Sequence, residues 1–194
     1  MMRISRCIST ASAVAIAAAC GSDRPTMPTA VSVPLFVRSV QADNLGTHLT
    51  GDNEVPPNAS LAQGQAIFRI SDDGSSVTYT LIAANIDNPF MAHIHIGAPT
   101  VAGPVVEWLF PSTAPVPGPA GIGRFDGRLA QGTFTAADLV GPLKGHPLSD
   151  LLSAMRDGGA YVNVHTKTAV SAPAGPGNLP GGEIRGQLSA PGVP

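Results

Sequence analysis

From Leu35 onward, short runs of β-branched residues alternate with clusters of turn residues, which directs this chain to an all-β fold. Twenty-two glycines and 19 prolines among 194 residues punctuate the runs too often for long helices or βαβ units. Strands are expected over 35–41, 46–51, 64–71, 75–86, 91–97, 103–109, 122–131, 160–166 and 183–189. Together they predict a Greek-key or immunoglobulin-like β-sandwich. Ser71-Asp72-Asp73-Gly74-Ser75 supplies a tight turn, so its flanking strands should form a hairpin. One short crossover helix is expected over 148–157, where apolar residues fall at helical spacing and Gly158-Gly159 offers a stop. Residues 111–121 and 172–182 are too rich in proline and glycine for regular structure and read as long loops.

The N-terminus has a different logic. Arg3 and Arg6 precede an uncharged stretch from Cys7 to Ala19, the order of a signal peptide over 1–19. That stretch falls short of the roughly 20 apolar residues a membrane span needs. Ala17-Ala18-Ala19-Cys20-Gly21 resembles the bacterial lipobox, with Ala17 where leucine is usual, which marks Cys20 as a lipidation site. The alternative is cleavage near Ala19 with Cys20 incidental. Residues 20–34 then form a tether, and 35–194 the domain. The expected location is outside the cytoplasm: a periplasm-facing or cell-surface lipoprotein, or a secreted protein if Cys20 carries no lipid. With 11 basic and 13 acidic residues and no Lys/Arg run, nucleic acid is not an expected partner. An envelope or extracellular protein is.

Alternate side chains on a strand point to opposite faces, which sorts the polar residues. In Ala92-His93-Ile94-His95-Ile96, the apolar residues take the core face and send His93 and His95 to the other. The same alternation sends Tyr161, Asn163 and His165 outward, and with them Glu183, Arg185 and Gln187. His93 and His95 lie roughly 7 Å apart at Cα, close enough to chelate one ion. If His165 stands on a neighbouring strand, three imidazoles converge on an exposed outer sheet face, a ligand set suited to copper or zinc. The alternative is that these histidines meet only water and backbone. His48 and His146 sit in other contexts and join no cluster. Asp52, Glu54, Asp72, Asp73 and Asp87 read as solvated turn carboxylates without calcium-loop spacing. The face of Trp108 stays open. No serine elbow, phosphate loop or cysteine nucleophile is present, so hydrolase and nucleotide chemistry lack support.

Four segments resemble the CHRD domain, the module named for chordin. They are Leu49-Thr50-Gly51-Asp52-Asn53-Glu54-Val55-Pro56-Pro57, Ala92-His93-Ile94-His95-Ile96-Gly97-Ala98, Tyr161-Val162-Asn163-Val164-His165-Thr166 and Pro180-Gly181-Gly182-Glu183-Ile184-Arg185-Gly186-Gln187-Leu188. The resemblance spans about 46–190 and implies an extracytoplasmic β-sandwich acting as a binding module. A more distant resemblance, to copper-zinc superoxide dismutase, rests on the order and strand context of His93, His95 and His165. It implies copper ligands, but no histidine follows His95 before His146 to bridge a second metal, and the disulfide cysteines are absent. The functional expectations are therefore three: a copper-binding module, a metal-independent interaction module, and a weak dismutase-like copper enzyme.

Overall fold

A computed structural model describes residues 44–111 and 115–190. The expected signal segment 1–19, Cys20 with the tether 20–34, and the strand expected at 35–41 lie outside these residues.

The strands are β1 (Asn44–Thr50), β2 (Gln63–Ile70), β3 (Ser76–Asp87), β4 (Pro89–Ile96), β5 (Val105–Phe110), β6 (Arg124–Thr135), β7 (Ala160–Thr166) and β8 (Ile184–Leu188). A single helix, α1 (Leu148–Arg156), crosses between β6 and β7. All strand pairs are antiparallel, in one sheet ordered β5-β4-β7-β8-β1-β2-β3-β6. The sheet rolls until its two ends meet. Tyr79 on β3 donates its hydroxyl to the Leu109 carbonyl on β5 at 2.8 Å, and Val140 N, just beyond β6, donates to Val106 O at 2.9 Å. The fold is the expected all-β sandwich, closed almost into a barrel.

Local chemistry explains the pieces. At the β2–β3 hairpin, Gly74 takes φ +69°, and the Asp73 carboxylate accepts from Ser71 Oγ, Ser75 N and Ser75 Oγ. Those bonds, led by the Ser75 amide, draw the Asp73 carboxyl down to about 2. Helix α1 stops at Gly158, with φ +75°, where a Cβ would be strained. Its buried Leu148, Leu151, Leu152 and Met155 fill the mouth of the rolled sheet, each contributing about 1.5–3 kcal/mol relative to exposure. The core proper is formed by inward residues such as Phe68, Leu81, Ile94, Val162 and Ile184.

Strand β7 departs from simple alternation, because all seven of its residues are buried. Its inner face meets the core. Its outer face meets loops, with Gly103 N donating to the Tyr161 hydroxyl and His165 Nδ1 to Pro180 O, and on β8 Arg185 likewise reaches the carbonyls of Ala98 and Val101. The polar face of β4, β7 and β8 is therefore covered, contrary to the exposed face expected from the alternation.

Candidate metal centre

Sheet order places β5, β4, β7 and β8 side by side, and their register arranges the outward residues in rows. Trp108, His93, Asn163 and Arg185 stand in one row, and Val105, His95, Tyr161 and Gln187 in the next. His165 lies opposite Met91, one row behind His93. Paired strands bring opposed side chains within contact, so the three histidines meet. One nitrogen from each of the three rings lies within 4.8 Å of the other two. Within the described residues, no other group of three or more metal-ligating side chains comes together in this way. His146 instead binds Asp150 at 2.9 Å on the surface.

The rings are not solvated. His93, His95 and His165 share the outer face as expected but are 3%, 7% and 6% exposed, which corrects the expected solvent exposure of that face. The loop after β4 covers His95, and the loop before β8 covers His165. His95 Nδ1 donates to the Gly103 carbonyl at 2.8 Å, and His165 Nδ1 donates to the Pro180 carbonyl at 2.9 Å. A carbonyl only accepts, so both rings carry hydrogen on Nδ1 and present a lone pair on Nε2. The lone pair of His165 faces His93 Nδ1 at 3.1 Å, which makes that Nδ1 the donor. Nε2 of His93 and Nε2 of His95 are buried without any partner. Backbone carbonyls that fix the tautomer of a buried imidazole are the usual outer shell of a metal ligand.

Aromatic contacts hold the ring planes. Trp108 meets His93 edge-on, with centroids 4.2 Å apart, which settles its face. Tyr161 stacks on His95 at 4.8 Å, and the Arg185 guanidinium lies 3.4 Å from the centroid of the Tyr161 ring.

The sequence-based reading misses two groups. Glu54 is not a solvated turn residue but 6% exposed, and burial lifts its carboxyl to about 7 against the opposing pull of Arg185. No local pattern announces this, because the segment after β1 folds over the site through distant contacts. Glu107 is 4% exposed, with its carboxyl pushed to about 8 by burial and secondarily by Asp138. A lone charge inside Val105-Val106-Glu107-Trp108-Leu109 is its only trace in the sequence.

Burial also sets the histidine charges. It drives His93 down to about 3, with help from His165 and His95, lowers His165 to about 4, and lowers His95. All three imidazoles are thus neutral and competent as ligands at neutral pH. The pH dependence of folding follows from the signs. A depressed histidine stabilises the fold above the unfolded value near 6.5 and loses that contribution as pH falls from there through 4 to 3, about 5 kcal/mol for His93 and about 3 kcal/mol for His165. Raised carboxyls act oppositely: Glu54 and Glu107 stabilise below their unfolded value and lose that contribution as pH rises through 7 to 8. Thermal melts of the metal-free chain should therefore peak near pH 6.5 and fall on both sides, toward pH 4 as the unfolded histidines take up protons and toward pH 8 as the unfolded Glu54 and Glu107 stay ionised. A Tm that rises on acidification from pH 6 to 4 contradicts the neutral burial of the histidines.

The sequence model of the CHRD domain matches residues 45–188. The chain belongs to the CHRD domain family. No curated protein matches it. The CHRD match runs from the second residue of β1 to the last residue of β8, so every strand of the sheet and all three histidines lie within it.

Proposed function

We propose that this CHRD domain is an exported binding module that holds one copper ion on His93, His95 and His165. The observation that carries this reading is the pair of imidazoles pinned by backbone carbonyls, each aiming Nε2 into a buried space shared with a third ring. Three nitrogens around one ion at about 2.0–2.1 Å lie roughly 3.3–3.6 Å from one another. The observed 3.1 Å contact and 4.8 Å limit bracket that spacing, so sub-ångström to ångström shifts of the rings suffice. Among divalent ions, copper binds an all-nitrogen set most tightly. His93 would hold the ion through Nδ1 with its hydrogen carried on Nε2, so three neutral imidazoles would supply the ligand set without net proton release.

The closed cover supports holding over turnover. With each imidazole under a tenth exposed, a substrate would have to displace the loops that orient the ligands. Export on residues 1–19, lipidation at Cys20 and the tether 20–34 belong to the same reading, which places the site where environmental copper reaches it. A second reading, contact with an envelope or extracellular protein, is favoured by Val116 and Ile122, apolar side chains 62% and 46% exposed in a proline-rich segment. Pull-downs whose partners persist in the histidine variants support that second reading.

Equilibrium dialysis against copper followed by metal analysis tests the first. One copper per chain is expected, and none bound at micromolar copper overturns it. Gly103 gives a more selective probe. A Cβ there runs into the Ile96 carbonyl, so Gly103→Ala must shift the loop whose carbonyl orients His95. Copper affinity should fall about 10–100-fold while the far-ultraviolet spectrum stays β-type, because outer-shell partners carry weight of that order. Unchanged affinity would show that the carbonyl does not orient a ligand.

A further inference from the structure

The rolled sheet leaves a seam between β5 and β6, and a pocket of about 480 Å³ opens there. Its apolar wall includes Tyr79, Phe134 and Val140. Glu107 lines it as well. In the β4–β5 register Glu107 opposes the core residue Ile94, so its side chain takes the inward face, away from the histidines. It is 4% exposed, yet Oε2 has no hydrogen-bond partner. Asp138 also lines the pocket, its Oδ2 accepting from Thr135 N and Oγ1. Lys144, on the same rim, is exposed, and among the described residues neither carboxyl has an ion-pair partner.

A buried carboxyl oxygen without a partner costs free energy that a ligand with N–H groups recovers, and an ammonium there displaces the proton that burial holds on Glu107 near neutral pH. An apolar wall leading to two carboxyls calls for an alkyl chain ending in positive charge. We propose that the seam pocket binds a primary alkylammonium group, its chain along Tyr79 and Phe134 and its ammonium donating to Glu107 Oε2. The group has two sources, a free amine or a lysine side chain of another polypeptide, and both present the same chemistry.

The site shares no side chain with the copper ligands, so the two readings fail separately. Titrating the isotope-labelled full chain with n-butylammonium, and separately with N-acetyl-lysine methylamide, tests it by nuclear magnetic resonance. Saturable shifts centred on the amides of Glu107, Phe134 and Asp138 are expected, and tetramethylammonium, lacking N–H, should produce none. Binding of butylammonium alone assigns a free amine, and binding of the lysyl compound as well assigns a lysine side chain. Glu107→Gln, nearly isosteric, should weaken binding about tenfold or more while copper uptake stays unchanged. Glu107→Leu serves if the glutamine variant does not fold. Absence of saturable shifts with both probes, or equal binding by the folded variants, overturns the proposal.

Discussion

Replacing His93 and His165 together by alanine should abolish copper uptake, with affinity falling well beyond a hundredfold. Loss of a single outer-shell partner already costs about 10–100-fold, and this pair removes two of three direct ligands. The consequence is visible in stability. A ligand present at about a thousand times its Kd adds about 4 kcal/mol to the folded state, and in a domain of this size that raises Tm by roughly 10 °C. Saturating copper should give the wild-type chain that increase and the double variant almost none. The metal-free variant is a fair control, because it also deletes the buried, unpartnered Nε2 of His93. A copper-induced Tm rise of equal size in both proteins would place the ion elsewhere.

Arg185→Met should be the most damaging substitution outside the apolar core, at about 3–5 kcal/mol. Arg185 is 1% exposed and is among the largest fully buried side chains of the domain. Its guanidinium donates to Val101 O at 3.0 Å, to Ala98 O at 2.8 Å and to Gln187 Oε1 at 3.2 Å, and it covers the Tyr161 ring. Methionine fills much of the volume but removes the donors to Val101 O and Gln187 Oε1, and leaves Ala98 O with the Val101 amide alone. The damage should reach the metal ligands, since Ala98 and Val101 belong to the loop that carries Gly103 over His95. Arg185→Lys keeps the charge but not the fork of donors, so it should recover only part of the stability. Denaturant unfolding checks both variants, and a cost below about 1 kcal/mol for Arg185→Met would mean the loop is held by other contacts.

Much of this was legible in the residues themselves. The turn at Asp73-Gly74 and the helix ending before Gly158 rest on local chemistry, and both form where the sequence places them. The shared face of His93 and His95 follows from a period of two, and the structure brings His165 onto it. What alternation does not reveal is whether a polar face meets water. That depends on loops without periodicity, pinned by bonds between residues far apart in sequence, such as Arg185 to Ala98 and Asn58 to Glu183. Glu54 was hidden for the same reason, being buried by contacts that lie nowhere near it in the chain. Glu183 shows how thorough the cover is. At 1% exposed, its carboxylate accepts from Ser60 Oγ, Thr166 Oγ1 and Gly177 N, tying two loop segments and the end of β7 to the start of β8.

X-ray absorption spectroscopy of the chain loaded with one equivalent of copper examines the central claim most directly. Three imidazole nitrogens at about 2.0 Å are expected in the first shell, with outer-ring scattering from each, and the signal should collapse in the double histidine variant. A shell dominated by oxygen, or one unchanged by removing His93 and His165, would contradict a copper centre at this site.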